Sequence, residues 1–409
     1  MSAGAKEHGN PMSAQRGGGS AGVTVGRVAQ PDLVTRVRHQ LVTGELDLAA
    51  VLRAEADGIA DDVVLAGLRQ GVLAELAGAG PLEPLLALPG VTDVLVNSPG
   101  EVWLDRGRGP ERAPVRFPDD AAVRRLAQRL ATAAGRRLDD AAPFVDAALP
   151  DGTRLHAVLP PLTRHTTVSL RVLAREPRQL SDLVRLGAMP EQVSELLRAV
   201  VHARLAFAVT GGTGAGKTTL LGALLGQVPA GERVLVIEDA AELVIAHGHV
   251  VRLVTRPANV EGAGEIGLRQ LVRQALRMRP DRLVVGEFRG AEMVELLVAL
   301  NTGHDGGAAT LHANSAADVP ARVTALGALG GLNPAAVASL VSSALQLVVH
   351  LRRTRDGTRV VAELALLERT EHGLGVVAVW SPATGVAAGA ARLARLLADR
   401  GEAVPELLR

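Results

Sequence analysis

Apolar residues follow no period over residues 1 to 30, where Gly, Ser and Ala dominate, so this stretch reads as a disordered tail. From Pro31 the pattern becomes helical. Leu33, Val37 and Leu41 fall on one face, and Val63, Val64, Gly67, Leu68, Val72 and Leu73 continue at three-to-four spacing, which predicts a helical segment over 31–79. A different texture starts at Gly80–Pro81. Val91–Val96 and Glu101–Leu104 alternate as strands around a turn at Asn97–Gly100, and a helix is predicted over 119–134 with Asp119 or Asp120 as its N-cap. Phe144–Leu149, Arg154–Leu159 and Thr167–Leu173 add three strands, so residues 80–175 read as an α+β domain.

Residues 176–190 read as a linker with a short helix. Over 191–409 strands and helices alternate: Leu205–Val209, a glycine loop with a helix from Thr218, Val234–Ile237, Val250–Val254, a helix over 267–279, Leu283–Val285, a helix over 291–300, and Ala308–Leu311. That order predicts a mainly parallel sheet covered by helices on both faces. Leu347–Leu351, Val360–Leu366 and Gly375–Val379 predict an antiparallel extension at the end.

Composition narrows the function classes. The 409 residues are 47% hydrophobic and 21% charged, enough for two or three domains with real cores. The net charge of +1 gives no field for polyanions, and six aromatics leave little surface for stacking bases, so stable nucleic-acid binding is not expected. Without cysteine there is no disulfide, thiolate metal site or thiol nucleophile. No apolar run reaches the roughly 18–20 residues of a membrane span, and no signal peptide opens the chain; a cytoplasmic protein is the expectation. Lys6 and Lys217 are the only lysines, against 42 arginines. Abundant Ala, Gly and Arg suggest GC-rich codon drift, which makes any single arginine uninformative and Lys217 conspicuous.

Lys217 lies in Gly211-Gly212-Thr213-Gly214-Ala215-Gly216-Lys217-Thr218-Thr219, a GxxxxGK[ST] motif between a strand and a helix. Its glycines let backbone N–H groups ring a polyphosphate, and the helix N-terminus adds positive potential. Lys217 would reach the β- and γ-phosphates, and the Thr218 hydroxyl would bind Mg²⁺. A guanine reader of the NKxD type needs a lysine that this chain lacks, so ATP is the expected nucleotide. Two further strands run into acids, Val234–Ile237 into Glu238, Asp239 and Glu242, and Leu283–Val285 into Gly286–Glu287. One acid would hold Mg²⁺, through water, and another would orient or deprotonate the attacking water. His304 and His312 flank the short strand Ala308–Leu311, where an imidazole could bond a γ-phosphate; a capping or packing role is the alternative for each. Arg269, Arg273 and Arg277 repeat every four residues, as a basic stripe or as a solvated helix face.

In this order the motifs resemble the secretion-superfamily ATPases of type II and type IV secretion and type IV pilus systems, and within them the TadA/CpaF subgroup of Flp pili and conjugation-type machines. The matching stretches are 211–221, 234–243, 256–265, 271–290 and 301–315, with 81–97 and 151–162 upstream. The resemblance implies a RecA-like P-loop ATPase domain, preceded by a smaller α+β N-terminal domain and a short helical segment. It also implies a homo-hexamer docked on polytopic inner-membrane platform proteins from the cytoplasmic side. On its pattern, Glu238, Asp239 and Glu242 match the aspartate box, with Glu238 as the water-activating carboxylate. Glu287 matches the Walker-B acid, and His304 and His312 the histidine box. Arg154 and Arg171 occupy the strands whose arginines close over the γ-phosphate, with Arg279 and Arg289 as weaker candidates for phosphate or subunit contacts. Phe288 departs from the subgroup's small aliphatic residue, which bears on packing. Retention of these groups favours hydrolysis over a nucleotide-gated scaffold, which needs little beyond Lys217 and Thr218. A motor for pilus assembly or protein export is the expectation, ahead of a DNA-transfer ATPase.

Overall fold

A computed structural model describes residues 78–173, 176–256, 258, 263–371 and 373–409. The tail expected over 1–30 and nearly all of the helical segment expected over 31–79 lie outside the described residues. The chain divides into two compact units, Met1–Glu83 and Pro84–Arg409. In the first, a 3-10 turn spans Gly80–Leu82. Every element below belongs to the second.

Six antiparallel strands form the first sheet: β1 (Asp93–Ser98), β2 (Glu101–Asp105), β3 (Pro110–Arg112), β4 (Phe144–Ala148), β5 (Arg154–Val158) and β6 (Thr167–Arg171), in the order β3-β2-β1-β6-β5-β4. Alternate residues (Val94, Val96, Leu155, Ala157, Val168, Leu170) are buried, as the period of two requires. Helix α1 (Asp120–Ala133) packs on β5 and β6 and buries Val123, Leu126, Ala127 and Leu130. Asp119 is its N-cap, accepting the Ala122 N–H at 2.7 Å. Arg154 pairs with Arg171 across β5 and β6, so both arginines project from the opposite face at one end of the sheet.

After α2 (Leu180–Arg185) and α3 (Glu191–His202) comes a nine-stranded sheet. Its strands are β7 (Phe207–Gly211), β8 (Val234–Glu238), β9 (Val250–Val254), β10 (Arg282–Phe288), β11 (Ala308–Leu311), β12 (Leu347–Arg353), β13 (Arg359–Thr370), β14 (Gly373–Ser381) and β15 (Gly385–Val386). The order is β15-β14-β13-β12-β7-β11-β10-β8-β9; the six from β12 to β9 are parallel, and β13 to β15 extend them antiparallel. Its helices are α4 (Lys217–Leu225), α5 (Leu268–Ala275), α6 (Glu292–Leu300), α7 (Val319–Leu329), α8 (Pro334–Ala344) and α9 (Ala390–Asp399). Phe207, Val209, Val234 and Val236 pack under α2, α3, α4 and α9, whereas Ala206, Ala208, Leu235, Ile237 and Val285 pack under α5 to α8. Both faces are therefore covered, which is why the central strands read as unbroken apolar runs. Phe288 is buried in the second of these cores.

β10 is longer than the expected Leu283–Val285, so Gly286 and Glu287 lie within the strand and not after it. Helices α3, α7, α8 and α9 have no counterpart among the expected elements. Among the described residues no single helix is long and apolar enough to cross a membrane.

Candidate functional site

In a parallel sheet of this kind ligands meet the carboxyl ends of the strands. β7 ends at Gly211, and residues 212–216 loop into α4. Gly211 has φ +149°, and a Cβ there would stand 2.5 Å from the Leu351 carbonyl of the neighbouring β12; only glycine fits. Gly214 and Gly216 also have positive φ, turning successive peptides round the loop. Lys217 folds back beneath it, 8% exposed, and its Nζ donates to the Gly211 and Gly212 carbonyls at 3.1 Å each.

The ammonium does not stand alone. It lies 3.4 Å from His312 Nδ1 and 3.5 Å from Nε2, and His312 Nε2 lies 2.7 Å from Glu287 Oε1. Burial and the Lys217 charge push the His312 pKa down, so the ring is neutral at pH 7. The contacts then require Nε2–H to donate to Glu287, leaving Nδ1 as acceptor toward the ammonium. Burial also lowers the Lys217 pKa; Glu287 opposes that shift, while Arg171 and Arg289 add to it. Lys217 thus sits in the repulsive field of two guanidiniums, a strain that a bound polyanion would relieve.

Glu287 is held on both oxygens, with Arg289 Nε donating to Oε2 at 2.6 Å. Arg289 Nη1 stands 3.5 Å from Asp239 Oδ2. The turn behind them is fixed by Glu292, whose Oε1 accepts the Arg289 and Gly290 N–H groups at 2.6 and 2.7 Å. Glu238 ends β8 beside Gly286 and is 4% exposed. Its Oε1 accepts the N–H groups of Glu242 and Leu243 at 3.0 and 2.9 Å. Its Oε2 has no hydrogen-bond partner, Arg252 standing 3.6 Å away. Burial raises the pKa of Glu238, and likewise that of Asp239. A buried carboxylate with a raised pKa and one oxygen without a hydrogen-bond partner suits a proton acceptor.

From the first sheet, Arg154 Nη1 bonds Glu242 Oε1 at 2.8 Å, reaching the loop after β8. Its neighbour Arg171 is exposed, and among the described residues no ion pair engages it. The structure therefore brings Lys217, Thr218, Glu238, Glu287, His312, Arg154, Arg171 and Arg289 to one edge of the sheet.

It does not bring His304 there. His304 precedes β11 and His312 follows it, so the four-residue strand separates them to opposite sheet edges, about 13 Å at its usual rise. His304 Nδ1 lies 3.2 Å from the Ala299 carbonyl at the end of α6, a capping position. Arg279 is exposed at φ +54°, away from this edge. The arginine stripe is partly neutralised, since Arg269 and Arg273 share Glu295 Oε1 at 2.6 and 2.7 Å and Arg277 bonds Gln274.

Three residues escape a reading of the sequence. Glu292 carries a signal only in hindsight, as an acid three residues after Arg289 in GEFRGAE. His350 is buried on β12 with Nδ1 3.0 Å from Thr210 Oγ1, at the root of the glycine loop. Arg359 reaches the loop from β13. Neither has any local signal.

The donor set fits a nucleotide with Mg²⁺. The buried ammonium, the ring of glycine peptides and Arg171, without an ion pair among the described residues, would face the phosphates, and Thr218 at the start of α4 and Glu287 near the end of β10 would supply oxygen ligands.

Residues 75–382 match the family model described as type II/IV secretion system protein. A putative conjugal transfer protein of Mycobacterium tuberculosis H37Rv is 55% identical over 352 residues, covering 84% of this chain and 100% of the relative. A probable conjugal transfer protein TrbB of Sinorhizobium fredii is 31% identical, over 69% of this chain and 85% of its own length. Among solved structures, the Yersinia pseudotuberculosis ATPase DotB shares the fold, with a TM-score of 0.50 and 17% identity over 69% of this chain and 76% of its own.

Proposed function

Since the chain belongs to the family of type II/IV secretion system proteins, we propose that it is an ATP-hydrolysing motor for pilus assembly or export. The observation that carries this reading is the chain Lys217–His312–Glu287 at the carboxyl ends of adjacent parallel strands, with Arg171 unpaired beside it.

In this reading Gly211–Thr219 is the Walker A loop. Its N–H groups and Lys217 bind the β- and γ-phosphates, and Thr218 with Glu287, through water, holds Mg²⁺. When bound, the ion screens phosphate charge and aligns the γ-phosphoryl group for in-line attack. Water forms the new bond to the γ-phosphorus, and the bond to the bridging oxygen of ADP breaks. Oε2 of Glu238, which has no hydrogen-bond partner, takes the water's proton, the raised pKa of the carboxyl making it the better base. Arg171 and Arg154 lie on the first sheet, so closing that sheet onto the site sets their charges against the transferring group. His312 reports on both Lys217 and Glu287 through its two nitrogens. His304 takes no part.

The working assembly is a homo-hexamer of the TadA/CpaF kind, docked from the cytoplasm on polytopic inner-membrane platform proteins. Hydrolysis moves the first sheet against the nine-stranded one, with residues 176–190 as the hinge, and the partner passes that motion to its load. The relatives' names favour a second reading of the load, a conjugation-type transfer machine.

Steady-state phosphate release tests the motor. Wild type turns over ATP; Lys217→Ala loses binding and turnover; Glu287→Gln binds and does not turn over. Wild-type release no faster than these variants, with the membrane partner present, refutes it. Stimulation by platform protein in liposomes supports pilus or export work, and stimulation by single-stranded DNA supports the second reading.

A further inference from the structure

The β12–β13 hairpin ends beside the glycine loop, although 145 residues separate the two. Arg359, the first residue of β13, donates from Nε to the Gly214 carbonyl at 2.9 Å. Its methylenes lie along Gly216, where an added Cβ would stand 3.1 Å from Arg359 Cδ. The same hairpin touches the first sheet. Arg353 Nη2 donates to the Gly107 carbonyl at 2.5 Å, in the turn between β2 and β3. That turn is itself braced by Asp105 Oδ1, which accepts the Gly107 and Gly109 N–H groups at 2.6 and 3.0 Å. A Cβ on Gly107 would stand 3.4 Å from Arg359 Nη2, so both arginines lie against one turn.

A trans peptide points its carbonyl and the next N–H in opposite directions. Holding the Gly214 carbonyl outward therefore turns the Ala215 N–H into the loop, where it meets the Gly212 carbonyl at 3.3 Å. A flip of this peptide turns ψ of Gly214, which glycine at positive φ permits, together with φ of Ala215, and a flipped peptide would aim a carbonyl at the phosphates. Arg359 opposes that flip. A loop that shifts on binding phosphate would in turn pull on Arg359, and through Arg353 on the β2–β3 turn.

We propose that Arg359 is a positioning residue of the phosphate loop, and that the 353–359 hairpin couples occupancy of that loop to the first sheet. The proposal rests on the loop holding ATP. It assigns the hairpin a task distinct from that of Arg154 and Arg171, whose charges the proposed function sets against the transferring group.

The chain carries its own reporter. Trp103 is half-buried in β2, four residues from Gly107, and the other tryptophan, Trp380, can be replaced by Phe. In that Trp380→Phe background, Trp103 emission and the anisotropy of a fluorescent ADP analogue are read together, beside phosphate release. ADP is expected to shift Trp103 emission in the background protein. Arg353→Ala should bind the analogue with unchanged affinity and abolish the Trp103 shift. Arg359→Ala should abolish the shift and lower kcat roughly tenfold, as loss of one charge-assisted bond at the loop would. Arg359→Lys should recover less than half of that kcat, because an ammonium cannot keep the same planar contact. No analogue binding by the background protein overturns the nucleotide reading and this proposal with it. Binding and turnover with a Trp103 signal that ignores ADP, or that survives both alanine variants, overturns the proposal alone.

Discussion

Gly286 offers a sharp test of how the site is built. Its backbone is open to any residue; the obstacle is Glu238, which crosses β10 at that point. A methyl group on residue 286 would stand 2.8 Å from Glu238 Cγ. Carbon atoms rest at roughly 3.5–4.0 Å, so Cγ must retreat by about 0.7 Å or more. That displacement draws Oε1 away from the Glu242 and Leu243 N–H groups, now at 3.0 and 2.9 Å. Overpacking costs about 1–3 kcal/mol and a weakened bond to a buried charge costs a similar amount. Gly286→Ala should therefore destabilise by about 2–4 kcal/mol. Replacing Glu238 by Ala removes the obstacle, so adding Gly286→Ala to that background should cost less than about 0.5 kcal/mol. Urea unfolding, followed by Trp380 emission (6% exposed), gives the four stabilities of the cycle. A coupling of about 2 kcal/mol is expected; additivity within about 0.5 kcal/mol would mean that Glu238 does not lie over Gly286.

Two further outcomes follow from the same geometry. Burial lowers the His312 pKa and raises that of Glu238, so kcat should fall in acid solution as both groups take up protons. The unfolded chain protonates at His312 first, so this group makes the fold lose stability as pH falls through the unfolded value; a pH–kcat profile of His312→Gln with an unchanged acid limb would assign that limb to Glu238 alone and refute a part for His312 in it. Arg154→Ala should change stability by less than about 1 kcal/mol, because its pair with Glu242 is partly exposed, yet lower kcat/KM at least about tenfold. The swapped pair Arg154→Glu with Glu242→Arg should restore stability but not turnover, and recovery of turnover would make Arg154 merely a strut.

Much of this was legible in the sequence wherever a local rule governed. Ala308–Leu311 has the expected bounds, because a buried parallel strand is apolar throughout and Gly307 and His312 flank it; Val250–Val254, an edge strand that carries Arg252, has them because polar His249 and Thr255 flank it. The phosphate loop follows from a motif in which each residue type has a task. The motif groups His304 with His312 at the γ-phosphate, yet two residues that flank a short strand stand at opposite edges of its sheet, and that geometry removes His304 from the site. α8 escaped because its apolar residues go nearly all round, leaving no period to read. β10 runs past its expected end because Gly286, with no side chain to extend the apolar run, makes room for Glu238 within the strand. Arg359 and His350 could not be read at all: their partners lie 145 and 140 residues away.

The burial of Lys217 also determines how this protein can be handled. Among the described residues it is the only lysine, and it is 8% exposed beneath its own loop. Amine-reactive cross-linkers, the usual means of trapping oligomers, find no surface lysine across the described residues, so a missing cross-link between those residues says nothing about assembly. The absence of cysteine turns this to advantage, because a single introduced thiol is the only one in the chain. Slow acylation of Lys217 becomes a clock for opening of the loop, and a nucleotide that closes the loop stops it.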